Sequence, residues 1–181
     1  DAAIQTGAIS SKKIIAAAKW LERMSYQRSD AVVLLSQDLR TNIANKIDKK
    51  FHQRLHVIPN FVDTSAITPQ DRMTAYRSEL GIGDQLVVMY AGNVGFSQSL
   101  NLVVDAAARF PDIAFVINGD GAARKKLEED CAQLANVYFG DYQPIERLSE
   151  VLATGDIHLV PLRAGLASVS VPSKSYSILA A

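Results

Sequence analysis

The chain has 181 residues, 48% hydrophobic and 21% charged, with 19 basic side chains against 19 acidic ones. That profile fits an ordinary globular protein of one domain or one and a fraction, at roughly 150 residues per domain. The balanced charge gives no bulk electrostatic case for nucleic acid or for an anionic membrane as partner. The single cysteine, Cys131, excludes an internal disulfide framework and a cysteine-built zinc site. It fits a reducing cytoplasm and reads as a small apolar helix residue. No apolar run approaches the ~20 residues needed to cross a bilayer, and the start lacks the basic, apolar, small order of a signal peptide. The chain begins DAAIQTGAI and stops at ILAA inside a helical pattern, so both ends read as cuts and the expectation is a piece of a longer protein.

In chain order, Ser10 to Arg28 predicts a helix. Ile14, Ala17, Ala18, Leu21 and Met24 recur on one face, and Ser10 or Ser11 is the cap. Its lysines and Trp20 are also features of interfacial helices, which would give peripheral contact with the inner face of a membrane. The preferred reading is an amphipathic helix covering a sheet. Ala31 to Ser36 predicts a buried strand, about Gln37 to Lys49 a polar helix, and Leu55 to Pro59 a second strand. Residues 59–70 have linker composition, rich in Asn, Asp, Thr, Ser and Pro. The expected domains are 1–58, a linker over 59–70, and 71–181.

The second region alternates regularly. The pattern predicts helices over Met73 to Leu80, Leu100 to Arg109, Ala122 to Leu134, Ile145 to Thr154 and from Pro172 onward. Between them it predicts strands over Leu86 to Ala91, Ile113 to Asn118, Val137 to Phe139 and Ile157 to Val160. Strands alternating with helices imply right-handed βαβ units: an α/β fold with a Rossmann-like parallel sheet and helices on both faces.

In such sheets ligands sit beyond the carboxyl ends of the strands. Those ends read Gly92-Asn93-Val94-Gly95, Gly119-Asp120-Gly121, Gly140 to Pro144, and Pro161 to Gly165. Glycine lets backbone N–H groups approach a ligand closely, and helix starts favour phosphate. Pro172 fits a first helical position with Ser170 or Ser173 as cap, and Lys174 falls in the first turn, where the helix dipole disfavours a cation unless an anion sits beside it. Neither a G-x-G-x-x-G fingerprint nor a P-loop is present. His52, His56 and His158 are scattered and suggest no metal cluster.

The strings SDAVVLLSQDLRTNI, VIPNFVD, VVMYAGNVG, FVINGDG, NVYFGDYQP, GDIHLVPL and SVPSKSYSILA, taken in order, resemble the group 1 family of retaining, GT-B-fold glycosyltransferases. The likeness is to members that build bacterial capsule, exopolysaccharide or O-antigen, and it runs from about residue 25 to the end. It implies two facing Rossmann-like domains. Residues 1–58 would be the end of the acceptor-side domain, and 71–181 most of the nucleotide-sugar-binding domain.

The family's Arg and Lys that contact the donor diphosphate fall here at Asn93 and Gln98, so the resemblance leaves neutralisation to Lys174, Arg163 and the last helix, with Gly92 and Ser173 beside them. Asp141, Tyr142 and Gln143 match the loop that reads the nucleobase. The family's two glutamates fall at Val169 and Ser177, which puts Ser177 at the ribose. Catalytic residues are not assigned, since the family supplies them from the acceptor half. The implied activity is transfer of a sugar, from a UDP-linked donor, to a saccharide or lipid-linked acceptor with retention. It would occur in the cytoplasm with no resident cofactor or metal. The alternatives are a truncated binding or packing module without activity, and a nucleotide-sugar epimerase of similar fold.

Overall fold

The computed structural model describes residues 10–96, 98–162 and 170–181. The chain forms two compact units, Asp1–Phe61 with Arg163–Ser173, and Val62–Leu162 with Lys174–Ala181.

In the first unit, helix α1 (Lys12–Arg28) precedes strand β1 (Val32–Leu34), helix α2 (Gln37–Ala44), a 3-10 helix (Lys49–Arg54) and strand β2 (Leu55–Val57). The two strands pair in parallel, Val32 opposite Leu55 and Leu34 opposite Val57. Ser36 caps α2 by accepting from Leu39 N at 3.2 Å. This helix is shorter than the pattern predicts: Lys46 N bonds back to Ile43 O, tightening the last turn, and Asp48 is extended. Val32, Leu34, Ile43, Ile47 and Leu55 form the core. No residue of α1 is fully buried, and Ile14, Trp20 and Leu21 are exposed, while Tyr26 near its end packs against this core.

The second unit holds helix α3 (Ala75–Glu79), strand β3 (Val87–Ala91), helix α4 (Asn101–Arg109), strand β4 (Ala114–Asn118), helix α5 (Arg124–Asp130) and strand β5 (Val137–Gly140). A 3-10 turn (Ile145–Arg147) then leads into helix α6 (Leu148–Ala153), followed by strand β6 (Ile157–His158) and helix α7 (Lys174–Ala180). The sheet is wholly parallel in the order β5-β4-β3-β6, as the alternation of elements predicts. Alternate side chains serve opposite faces. Tyr90, Phe115 and Ile117 pack with Val103 and Ala107 of α4 and Leu127 of α5. Val87, Met89, Ala114 and Val116 pack with Tyr76 of α3 and Val151 of α6. Cys131 is buried in the first of these layers. Strand β6 is shorter than expected, although Leu159 N still reaches Met89 O at 2.8 Å. Helix α7 begins at Lys174, so Pro172 lies before the helix rather than at its first position. Among the described residues no helix is long and apolar enough to cross a membrane.

Among the described residues of this unit, one charged side chain is sealed into the interior. Arg77 of α3 has no solvent exposure. It donates to Gly83 O at 2.8 Å and to Gln85 O, and lies 3.6 Å from Asp156 Oδ2. Asp156 also accepts from Arg72 at 2.6 Å and from Val87 N at 2.8 Å. Burial alone would push the Asp156 carboxyl up, but these donors and the two guanidinium charges outweigh it and hold it below its ordinary value. The cluster ties the segment before β3 to the start of β6. Arg77→Met should destabilise the protein by about 3 kcal/mol, because it strands buried acceptors and a half-neutralised carboxylate. Lys126→Ala, at an exposed i,i+4 pair, should stay within about 0.5 kcal/mol. Urea denaturation followed by circular dichroism measures both.

Candidate functional site

The carboxyl ends of β3, β4 and β5 are bound to one another beyond the strands. Gly92 N donates to Asn118 O at 2.7 Å, Gly119 N to Gly140 O at 2.9 Å, and Val94 N to Asp120 O at 2.9 Å. Ala123 N returns to Val94 O at 2.9 Å. These bonds need backbone that only glycine adopts readily. Gly92 has φ 135° and Gly119 φ 132°. A Cβ on Gly119 would strike Gly92 O, and one on Gly92 would strike the Lys174 ammonium.

A cavity of about 200 Å³ opens at this rim, within the second unit. Gly92, Asn118, Tyr142, Ile145, Lys174 and Ser177 line it, with further apolar wall from α6 and α7. Its form, mostly apolar with a few convergent polar groups, suits a small organic ligand.

Lys174 is the cation at this cavity. Its Nζ donates to Tyr90 Oη at 2.7 Å and lies 4.1 Å from the centroid of the same ring. Tyr90 Oη in turn donates to Asn93 O at 2.6 Å. Burial pulls the Lys174 ammonium down to about 8, because the charged form loses hydration. Burial, with the nearby Tyr142 phenol, pushes Tyr90 up to about 12, so this hydroxyl stays protonated.

The other predicted residues fall as follows. Asn93, exposed, and Gln98 both bring their side chains against Gly95, so these two positions meet in the loop after β3. Asp141 projects into solvent and pairs with Arg124 at 2.7 Å. Tyr142, exposed, reaches Asp120 O at 3.4 Å and lines the cavity. Gln143 also lines it, while accepting from Arg147 at 3.0 Å. Ser177 lines the α7 side. Ser173 is exposed and belongs to the first unit. Arg163 lies outside the described residues, as does Val169.

Three residues at the rim escape the sequence reading. Tyr90 looks like one more strand residue, although a phenol so near a strand's carboxyl end was a usable signal. Asn118, the last residue of β4, lines the cavity and accepts from Tyr76 Oη. Arg124 donates to Gly119 O at 2.6 Å, Gly140 O at 3.1 Å and Asp141, clamping the ends of β4 and β5. Hydrogen bonding to Glu128, with the charge of Asp141, raises its already high pKa. His158 bonds Leu152 O at 2.8 Å and is held below its ordinary value by burial; it serves the core. Among the described residues no group of His, Cys, Asp and Glu is placed to hold a metal.

No protein-family model matches the chain. Among curated proteins it is 37% identical over 111 residues to the colanic acid biosynthesis glycosyl transferase WcaI of Escherichia coli K12, covering 59% of this chain and 27% of that protein. It is 29% identical over 166 residues to the glycosyltransferase WbjE of Pseudomonas aeruginosa, covering 86% of this chain and 40% of that one. The chain thus spans well under half the length of these relatives. Among solved structures it superposes on HepE of Anabaena, determined with UDP and glucose, with a TM-score of 0.66 at 18% identity, over 82% of this chain and 41% of that one. The parallel Rossmann-like sheet and these relatives agree: the chain has the Rossmann-like fold seen in GT-B glycosyltransferases and is similar in sequence to glycosyltransferases.

Proposed function

We propose that the second unit binds a nucleoside diphosphate sugar at the β3–β5 rim. The whole protein would transfer that sugar from a UDP-linked donor to a saccharide or lipid-linked acceptor, with retention, in building a bacterial surface polysaccharide. One observation carries the reading: an apolar cavity of about 200 Å³ that ends at a half-buried lysine on a bare glycine turn. The apolar end suits a base and the cationic end a diphosphate. The complex of HepE with UDP and glucose, and the WcaI relative of colanic acid biosynthesis, support the choice of donor and product class.

The roles in this reading come from the family resemblance together with the lining of the cavity. Tyr142, Gln143 and the backbone of Asp141 face the base, and Ser177 faces the ribose. Lys174, Asn93, Gln98 and the Gly92 backbone face the diphosphate, with Arg163 and Ser173 assigned there on the resemblance. As the glycosidic bond to the leaving group breaks, negative charge grows on that diphosphate while the sugar takes on oxocarbenium character. A pre-placed ammonium stabilises the charge where it develops, and a poorly hydrated site strengthens the effect. Work in the cytoplasm, with peripheral contact at the membrane's inner face, fits an acceptor carried on lipid.

Calorimetric titration with UDP and GDP tests the nucleotide part. Saturable heat from UDP is expected, with GDP weaker. Absence of heat from either at on the order of 1 mM nucleotide would remove the reading in favour of an inactive packing module.

A second measurement uses the cost of burying the ammonium. Lys174→Met should weaken UDP binding about tenfold or more. The same change should raise the thermal midpoint of the unliganded protein by about 2–4 °C, because a cation without a carboxylate partner is removed from a half-buried seat. The sign of the pH effect follows. Lys174 is held below its unfolded value of 10.5, so the unfolded chain binds more protons between about 8 and 10.5. Its contribution to stability therefore rises with pH across that window and is lost as pH falls through about 8, in the wild type only.

A further inference from the structure

The seat of the Lys174 ammonium is built by one side chain that the reading above leaves without a role. Tyr90 is the penultimate residue of β3 and 1% exposed. Its ring lies under Nζ at 4.1 Å, and its hydroxyl accepts from Nζ at 2.7 Å. The same hydroxyl donates to Asn93 O at 2.6 Å, so both its hydrogen and a lone pair have defined partners. Gly92, whose Cβ would occupy the Nζ position, leaves the seat open.

We infer that Tyr90 is a positioning residue for nucleotide binding: it fixes the Lys174 ammonium over Gly92, at the cationic end of the cavity, so that the charge is in place before a diphosphate arrives. The inference rests on the nucleotide-binding reading and goes beyond it by assigning this residue a role.

The physical argument is the freedom of lysine. Its ammonium rides on a four-carbon stem, and burying that stem costs about 1.5–2 kcal/mol of rotamer entropy. A lysine left to find its phosphate would bear that cost on binding. Here the face of the ring and the hydroxyl have already fixed it. One of the three ammonium hydrogens goes to Tyr90, and Lys174 still lines the cavity with the others. The fixed hydroxyl also ties Asn93, so the charge and the glycine loop are held by one atom.

The groups facing this ammonium are few. From β3 they are Tyr90, and from the loop after β5, Tyr142, whose phenol acts on Tyr90. The carboxylates of the neighbouring loops have partners, Asp120 with Gly121 N and Asp141 with Arg124. Among the described residues burial is the sole cause that moves the Lys174 ammonium. Its titration can therefore be read in a binding profile without a competing carboxylate.

The test is a double-mutant cycle on the full chain, with UDP as the probe, read by calorimetry at about pH 7.5 and about pH 8.5, on either side of Lys174 and below the range in which the uracil imide loses its own proton. Tyr90→Phe, which removes one atom and keeps the ring, should weaken UDP about five- to tenfold. In a Lys174→Gln background the same change should cost less than about twofold, since nothing remains to position. Affinity should fall with pH in the wild type and in Tyr90→Phe, and stay flat in Lys174→Gln. Thermal midpoints control for folding. Lys174→Arg is the independent arm: it keeps the charge but cannot take the same seat, so it too should lose about fivefold or more.

Equal losses from Tyr90→Phe in both backgrounds would overturn the inference, leaving Tyr90 a support of the loop alone. So would full affinity in Tyr90→Phe, Lys174→Gln or Lys174→Arg while the wild type binds UDP. A wild type that gives no heat with UDP would instead sink the nucleotide reading, and this inference with it.

Discussion

The carboxyl rim of the sheet depends on one constraint: the chain must keep hydrogen-bonding across strands after the strands have ended. Gly92 and Gly119 give their N–H groups to the last residues of the neighbouring strands, and Val94 gives its own to the loop after β4, so the ladder runs on past the ends of β3 and β4 in the same order as the sheet. A parallel ladder runs with φ near −120°; a rim that turns outward while keeping its bonds needs φ near +135°, which glycine alone takes up without strain. The close stacking of Gly119 on Gly92 O follows. Rigidity at the cavity mouth is thus a backbone property, and the side chains around it inherit their positions.

Upon that frame sits a conflict between stability and charge. A lysine whose ordinary value is 10.5 is drawn down to about 8 by burial, so the seat opposes the charge it holds. The ring face of Tyr90 and its hydroxyl offset part of that cost. What remains unfavourable is a driving force for any anion entering the cavity, since an anion relieves it. This is strain in electrostatic form, retained at the carboxyl ends of the strands; before β3, at the other end, the fully buried Arg77 guanidinium carries no such conflict, with acceptors from the Gly83 and Gln85 carbonyls and from Asp156.

Much of the fold was legible because its signal is periodic. The strands of the second region are apolar along both faces, as Val87 to Ala91 and Ala114 to Asn118 show, and both faces are indeed covered. The rim was legible because its glycines follow strands directly. What stayed hidden depends on contacts between residues far apart in sequence. Tyr90 and Lys174 meet across 84 positions, and neither shows its partner by type. Arg77 reads as a surface helix residue, since arginine is rarely buried; only the turn at Gly83 to Gln85 brings carbonyls to it.

The choice of cation has a chemical consequence. The loop after β3 carries amides, Asn93 and Gln98, and the positive charge comes from the first residue of α7. A guanidinium would stay charged at any accessible pH and grip phosphate in a fork. An ammonium is a point charge whose protonation answers to burial, and here burial has moved it to within about a unit of neutrality. An anion bound beside it would raise that value again, so under the proposed reading uptake of ligand and uptake of a proton would be linked above about pH 8. An arginine at the same place would stay charged throughout and would show no such linkage.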